Sequence, residues 1–230
     1  MKKKRVLVID VGGSHVKLMI SRNGKRRKFD SGKMLGPRKM VAETKKAIVD
    51  WKFDVIAIGF PAPIHKGRIA QDPKNLGKGW MRYDFRKAFG KPVRIINDAA
   101  MQALGSYHGG RMLFLGLGTG LGSALLWDRT VLSLELSDLP YLDDLSVEDW
   151  VGDAGLKKFG EKRWQTEVRR VVSEFKRSFI ADYVVLGGGN AKLVQRLPAG
   201  VGLGHNRNAF TGGARVWQSG PGGKPAWTII

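Results

Sequence analysis

Two carboxylates stand where apolar runs end. Asp10 follows Arg5 to Ile9 and opens the turn Asp10-Val-Gly-Gly-Ser14, and Asp98 follows Pro92 to Ile96 and Asn97. A carboxylate at a strand end faces a cleft readily and can take the proton of a hydroxyl that attacks phosphorus. Asp98 is equally suited to capping the helix predicted over Ala99 to Tyr107, since Asp is a common N-cap. Two more glycine turns follow apolar runs, Gly116-Leu-Gly-Thr-Gly-Leu-Gly122 and Leu186-Gly-Gly-Gly189. With no Cβ in the way, backbone N–H groups in such turns can approach an anion. At the turn Asp10-Val-Gly-Gly-Ser14, Asp10 could also orient Mg²⁺ through water. None has the Gly-Lys-Ser/Thr of a P-loop, and a strand rather than a helix follows Gly122, against a dinucleotide fingerprint.

The elements that must position these residues alternate. Strands are predicted over Arg5–Ile9, Val16–Ile20, Asp54–Phe60, Pro92–Ile96, Arg111–Leu117, Ser123–Trp127 and Tyr183–Leu186, from β-branched and apolar runs bounded by glycine or proline. Helical spacing covers Pro37–Trp51, Asp84–Phe89, Ala99–Tyr107, Ser146–Gly160 and Arg163–Phe179, with a short helix from Ala191. Arg22 to Lys28 reads as a basic loop, and Ile64 to Trp80 as a functional loop. The class is α/β. One hairpin near residue 12 and another near residue 119 suggest two similar lobes, the first ending near Ser106.

The chain has 230 residues and no cysteine, which excludes disulfides, thiolate zinc sites and cysteine nucleophiles. His15, His65, His108 and His205 make no metal-ligand spacing. The basic start, Met1 to Arg5, precedes an apolar run too short for a signal peptide, and no run spans a bilayer, so a cytoplasmic protein without a membrane partner is expected. Forty Lys and Arg against twenty Asp and Glu give a formal charge of +20, which attracts polyanions, nucleic acid non-specifically among them.

The acid-glycine hairpin, the strand-end Asn-Asp, the second hairpin and the triple glycine occur in one order. The chain thereby resembles the ROK family of repressors and sugar kinases, within the actin-like ATPases. The residues that carry the resemblance are Ile9-Asp-Val-Gly-Gly-Ser-His-Val-Lys17, Gly59-Phe-Pro-Ala-Pro63, Asn75-Leu-Gly-Lys-Gly-Trp80, Ile96-Asn-Asp-Ala99, Leu115-Gly-Leu-Gly-Thr-Gly-Leu-Gly-Ser-Ala124, Val185-Leu-Gly-Gly-Gly189 and Asn208-Ala-Phe-Thr-Gly-Gly-Ala214. No winged helix precedes the first motif, which favours the kinase branch. The missing zinc cysteines and the short length look most like polyphosphate glucokinases.

The resemblance implies a two-lobed actin-like ATPase (ribonuclease H-like) fold with the active-site cleft between lobes 1–106 and 107–218, and 219–230 as a flexible tail. It implies a phosphotransferase passing the terminal phosphoryl group of polyphosphate or ATP, with Mg²⁺, to a hexose hydroxyl, in a homodimer. Asp98 is then the catalytic base, and Asn75, Asn97 and Glu135 hold the sugar. Asp10, Gly12, Gly13, Ser14 and Lys17 form a first phosphate site, and Gly118, Thr119 and Gly120 a second. Gly187, Gly188 and Gly189 lie near a nucleoside. One departure stands out: the family's Glu-x-Gly-His is Glu135-Leu-Ser-Asp138 here. The alternative is a catalytically degenerate chain on the same fold that binds nucleic acid or another polyanion.

Overall fold

The computed structural model describes residues 4–21, 24–205 and 207–230. The first half runs β1 (Val6–Val11), β2 (His15–Ile20), β3 (Arg26–Asp30), α1 (Pro37–Ala47), β4 (Val55–Phe60), a small hairpin of β5 (Ile64–His65) and β6 (Arg68–Ile69), α2 (Phe85–Phe89) and β7 (Val93–Asn97). α3 (Asp98–Ser106) leads to β8 (Met112–Leu117), β9 (Leu121–Trp127), β10 (Thr130–Leu134), α4 (Val147–Val151), α5 (Asp153–Ser178), β11 (Tyr183–Gly187), β12 (Val201–Leu203), α6 (Asn208–Arg215) and β13 (Thr228–Ile229).

Two sheets repeat one plan. The first has the order β3-β2-β1-β4-β7, and the second β12-β11-β8-β9-β10 with β13 added beyond β10. In each, an antiparallel meander is extended by two parallel strands on the far side of its first strand. β1 and β4 are buried at every position, as central strands covered on both faces must be, and their sequences VLVIDV and VIAIGF are correspondingly apolar. β2, one place nearer the edge, buries Val16, Leu18 and Ile20 and turns Lys17 outward.

Between the sheets lie α3 and α6. They share a core in which Val8 and Ala57 of the first sheet join Phe114 and Leu126 of the second. The two helices touch backbone to backbone: a Cβ on Gly105 would lie 1.8 Å from the Asn208 carbonyl oxygen, and one on Gly212 1.8 Å from that of Met101. No residue larger than glycine fits either position.

Three expectations need correction. Of the basic loop read over Arg22–Lys28, Arg22 and Asn23 lie outside the described residues, and Arg26–Lys28 belong to β3. An edge strand is paired on one side only, so it accepts charged side chains that a central strand would reject. The tail 219–230, expected loose, is docked by Thr228 and Ile229, which pair with Thr130 and Val131 of β10. The single helix read over Ser146–Gly160 is broken at Gly152 into α4 and the start of α5, whereas the break at Gly160, whose φ of +76° only glycine adopts freely, divides it from the stretch read as helical over Arg163–Phe179.

Candidate active site

The first turn is built by the β1–β2 hairpin. Asp10 sits opposite Lys17 in register, and the Lys17 ammonium lies 3.4 Å from its Oδ2. Asp10 is 7% exposed, and burial pushes its carboxyl up, against the opposing pull of Lys17. Within the turn the Gly12 N–H donates to His15 O at 3.0 Å. Among the described residues the N–H groups of Gly13 and Ser14 have no protein acceptor, which leaves them to a ligand or water. Asn75, from the loop after β6, arrives beside this turn: a Cβ on Gly13 would stand 3.7 Å from the Asn75 Cβ.

Asp98 begins α3, and the question of its capping role has a definite answer. The cap is Asn97, whose side-chain oxygen accepts the Ala100 N–H at 3.1 Å. Asn97 is almost fully buried, and its Nδ2 reaches Ala62 O at 3.5 Å. One bond at each atom leaves the amide nitrogen a second proton for a ligand. Asp98 Oδ1 accepts the Ala99 N–H at 2.9 Å, and among the described residues Oδ2 has no hydrogen-bond donor. The Asp98 carboxyl is pushed up to about 7, first by burial and then by the charge of Asp10, with a further push from Glu135; the bond from Ala99 opposes this. Asp10 of β1, Asp98 at the start of α3 and Glu135 just after β10 thus act on one another electrostatically. Glu135 is itself raised, by burial and then by Asp138.

The second turn joins β8 to β9, with Leu117 opposite Leu121. Gly118 N–H donates to Gly120 O at 3.0 Å, and among the described residues the N–H groups of Thr119 and Gly120 lack protein acceptors, as in the first turn. The third glycine run packs on this second turn rather than the first. Asn190 N–H donates to Leu117 O at 3.0 Å, and Gly188, at φ +82°, lies so close that a Cβ would be 2.1 Å from the same oxygen.

Three functional positions were missed in the sequence. Ser31, just after β3, braces the first turn: its hydroxyl donates to Gly12 O at 2.6 Å and its N–H to Ser14 O at 3.0 Å. Glu148, on α4, closes the second turn: Oε2 accepts the Leu121 N–H at 3.0 Å and lies 2.1 Å from where a Gly120 Cβ would be. Lys74 forms a 3.6 Å ion pair with Asp138, the residue in place of the family histidine, and so links the loop carrying Asn75 to the segment carrying Glu135. Both partners are well exposed, so the pair is worth little in stability. None of the three left a trace in the sequence: the capping box that opens α4 pairs Ser146 with Asp149 and leaves Glu148 out.

Among the described residues no cluster of His, Asp or Glu could hold a metal by itself. One buried carboxylate beside unpaired turn amides does suit Mg²⁺ in its usual form, carried largely by substrate phosphates and water and touched by one or two carboxylates. Among the described residues no helix is long and apolar enough to cross a membrane.

No family model matches the chain. A curated polyphosphate glucokinase from Mycobacterium tuberculosis (strain H37Rv) is 25% identical over 210 residues, covering 79% of this chain and 76% of that protein. The inorganic polyphosphate/ATP-glucomannokinase of Arthrobacter sp. strain KM superposes with a TM-score of 0.79 at 22% identity, over 92% of this chain and 97% of that one. A ROK-family glucokinase from Streptomyces griseus, solved with glucose and AMPPNP, gives a TM-score of 0.67 at 12% identity, over 91% and 98% of the two chains. The chain carries the two-lobed actin-like fold of these kinases, and the resemblance read in its motifs extends along most of its length.

Proposed function

We propose, for a chain with the fold and motifs of ROK sugar kinases, that it transfers the terminal phosphoryl group of polyphosphate or ATP to a hexose hydroxyl, with Asp98 as general base. The observation that carries this reading is the Asp98 carboxyl. It is half-buried at the start of α3, has Oδ2 free of protein donors among the described residues, and titrates at about 7, where a base near neutral pH is effective.

The acceptor hydroxyl lies between Asn75, the Asn97 amide nitrogen and Glu135, and gives its proton to Asp98 Oδ2 as its oxygen attacks phosphorus. The bond from phosphorus to the bridging oxygen breaks, and the shortened polyphosphate or ADP leaves with the electron pair. The N–H groups of Gly13, Ser14, Thr119 and Gly120, with the Lys17 ammonium, bind the phosphates and stabilise charge on the transferring group. Mg²⁺, when bound with the donor near Asp10, would neutralise phosphate charge. For ATP, Gly187, Gly188 and Gly189 would line the nucleoside end. Lobes divided at residues 106 and 107 would close on the substrates and exclude water.

Asp138 bears on the choice of acceptor. An ionised carboxylate only accepts hydrogen bonds, whereas the histidine of the family can donate, so the preferred sugar is expected to present a donor there. The same substitution favours the second reading, a degenerate chain that binds polyanions through its +20 charge without turnover. A cytoplasmic homodimer is expected with either reading.

A coupled assay with Mg²⁺, a panel of hexoses and amino sugars, and ATP or polyphosphate tests the choice. Turnover that Asp98→Ala abolishes supports the kinase. Absence of turnover with every pair, in folded protein that still binds polyanions, supports the second reading.

A further inference from the structure

A cavity of about 770 Å³, bordered by no residue of the three glycine turns, lies between the β5–β6 hairpin, the segment around α2, β7 and the docked C-terminal strand. Its wall carries Lys66, Arg68, Arg82, Arg86 and Arg94, with Asp84 as its one carboxylate. Asp84 is occupied as the N-cap of α2, accepting the Lys87 N–H at 2.9 Å. Among the described residues none of the five cations makes an ion pair. Elsewhere acids do meet bases on this protein: Asp50 serves Lys25 and Arg27, and Asp54 serves Arg5. The cavity therefore gathers positive charge and leaves it uncompensated.

One of these cations is fixed in place. The Arg94 guanidinium donates to Val216 O at 2.5 Å and lies 4.4 Å from the centre of the Trp217 ring. Burial, and then the charge of Arg86, hold its pKa below the ordinary arginine value. Two like charges are thus close enough to oppose each other, an arrangement that an anion between them relieves.

The aromatic lining indicates which kind of anion. Single-stranded nucleic acid is held by backbone charge together with bases stacked on open aromatic faces. Here Trp80 and Phe85 are buried, 1% and 3% exposed, and are in contact with one another and with Phe60 and Tyr83. Trp227 packs edge-on against Tyr107. The two partly exposed aromatics of the lining, Tyr83 and Trp227, are each engaged with another ring, Phe85 and Tyr107, so the wall is richer in charge than in open aromatic face, and it carries more charge than one phosphate group neutralises.

We propose that this cavity is a second anion site, separate from the transfer centre, that binds a stretch of linear inorganic polyphosphate across Lys66, Arg68, Arg82, Arg86 and Arg94. The proposal goes beyond the transfer reaction and is decided by binding and protection measurements, so it stands or falls apart from the kinase assignment.

The test is equilibrium binding of fluorophore-labelled linear polyphosphate to the full chain across a salt series. Lys66→Gln/Arg68→Gln and Arg82→Gln/Arg86→Gln are compared with Lys45→Gln/Lys46→Gln, which removes equal charge from exposed positions on α1. Each cavity variant is expected to weaken binding about tenfold and to flatten the slope of log K against log salt by about 1.4, at about 0.7 per lost contact. The α1 variant should do neither. Turnover with tripolyphosphate or ATP, donors too short to need the cavity, should be unchanged in all three. On the wild-type protein, polyphosphate should protect Lys66 from acylation and leave Lys45 and Lys46 reactive. Equal weakening by the α1 variant would show general attraction to a basic protein and overturn the proposal, as would unprotected Lys66. Tighter binding of single-stranded RNA, lost in the same cavity variants, would assign the cavity to nucleic acid instead.

Discussion

Replacing Asp98 with asparagine should destroy turnover and strengthen the fold, and the second effect should depend on pH. The Asp98 carboxyl is raised from 3.8 to about 7. At about 1.4 kcal/mol per pH unit this rise corresponds to about 4 kcal/mol of unfavourable charging. The sign follows from proton counting. Between about pH 4 and pH 7 the folded chain holds a proton that the unfolded chain has lost, so the stability contributed at this position falls as pH rises through that window. Above about pH 7 the full penalty is in force, and below about pH 4 it is absent. The asparagine of Asp98→Asn carries no charge, and its oxygen can still accept the Ala99 N–H. The variant should therefore match the wild type near pH 4 and gain up to about 4 kcal/mol at pH 8. For a chain of this size a gain of that size raises Tm by about 8–16 °C, at about 2–4 °C per kcal/mol. Turnover should fall by about 10²- to 10⁴-fold, the usual contribution of a general base. Thermal melts of both proteins at pH 4, 6 and 8, without ligands, measure the effect. A gain of the same size at every pH, or a loss at pH 8, would refute the placement of an ionised Asp98 in a desolvated site beside the buried Asp10.

Other perturbations probe the parts around it. In the wild type, kcat/KM should rise with pH through a single limb near 7, and Glu135→Gln should move that limb to lower pH by removing one of the charges that raise Asp98; an unmoved limb in a pH–rate profile would assign the titration to another group. Gly120→Ala drives a methyl group into the Glu148 carboxylate and should cut kcat/KM for the donor at least tenfold; the double variant with Glu148→Ala should recover part of this, and strict additivity in the cycle would mean the two do not touch. Asp138→His breaks the exposed pair with Lys74 and restores a donor, so KM for glucose should fall while Tm changes little; a KM that rises would show that Asp138 itself serves the acceptor.

The sequence made the hairpins legible because each is a local event: two β-branched runs with glycines between them, closed by neighbours in the chain. The buried strands β1 and β4 were legible for a similar reason, since burial on both faces leaves no alternation to misread. The identity of the cap was not legible. Asn97 and Asp98 are adjacent and both competent, and only the helix register decides that Asn97 closes the turn and frees Asp98. Ser31 and Glu148 reach the glycine turns from separate segments, and nothing in a serine after a charged strand announces a bond to Gly12. The last strand, β13, consists of two residues held by β10, too short for any periodicity to reveal.

The outer strand of the first sheet has a consequence for the handling of the molecule. β3 leaves one row of backbone groups without a neighbouring strand in its sheet, the usual template for joining a second chain, and carries three exposed cations, Arg26, Arg27 and Lys28, on that edge strand. Two such rims repel each other in dilute buffer, so electrolyte sets how soluble the protein is. Strong salt, or a polyanion added to charge balance, silences the repulsion and leaves the rim free to seed sheet growth between molecules. Concentrated solutions should therefore cloud at that balance point and clear again when polyanion is in excess.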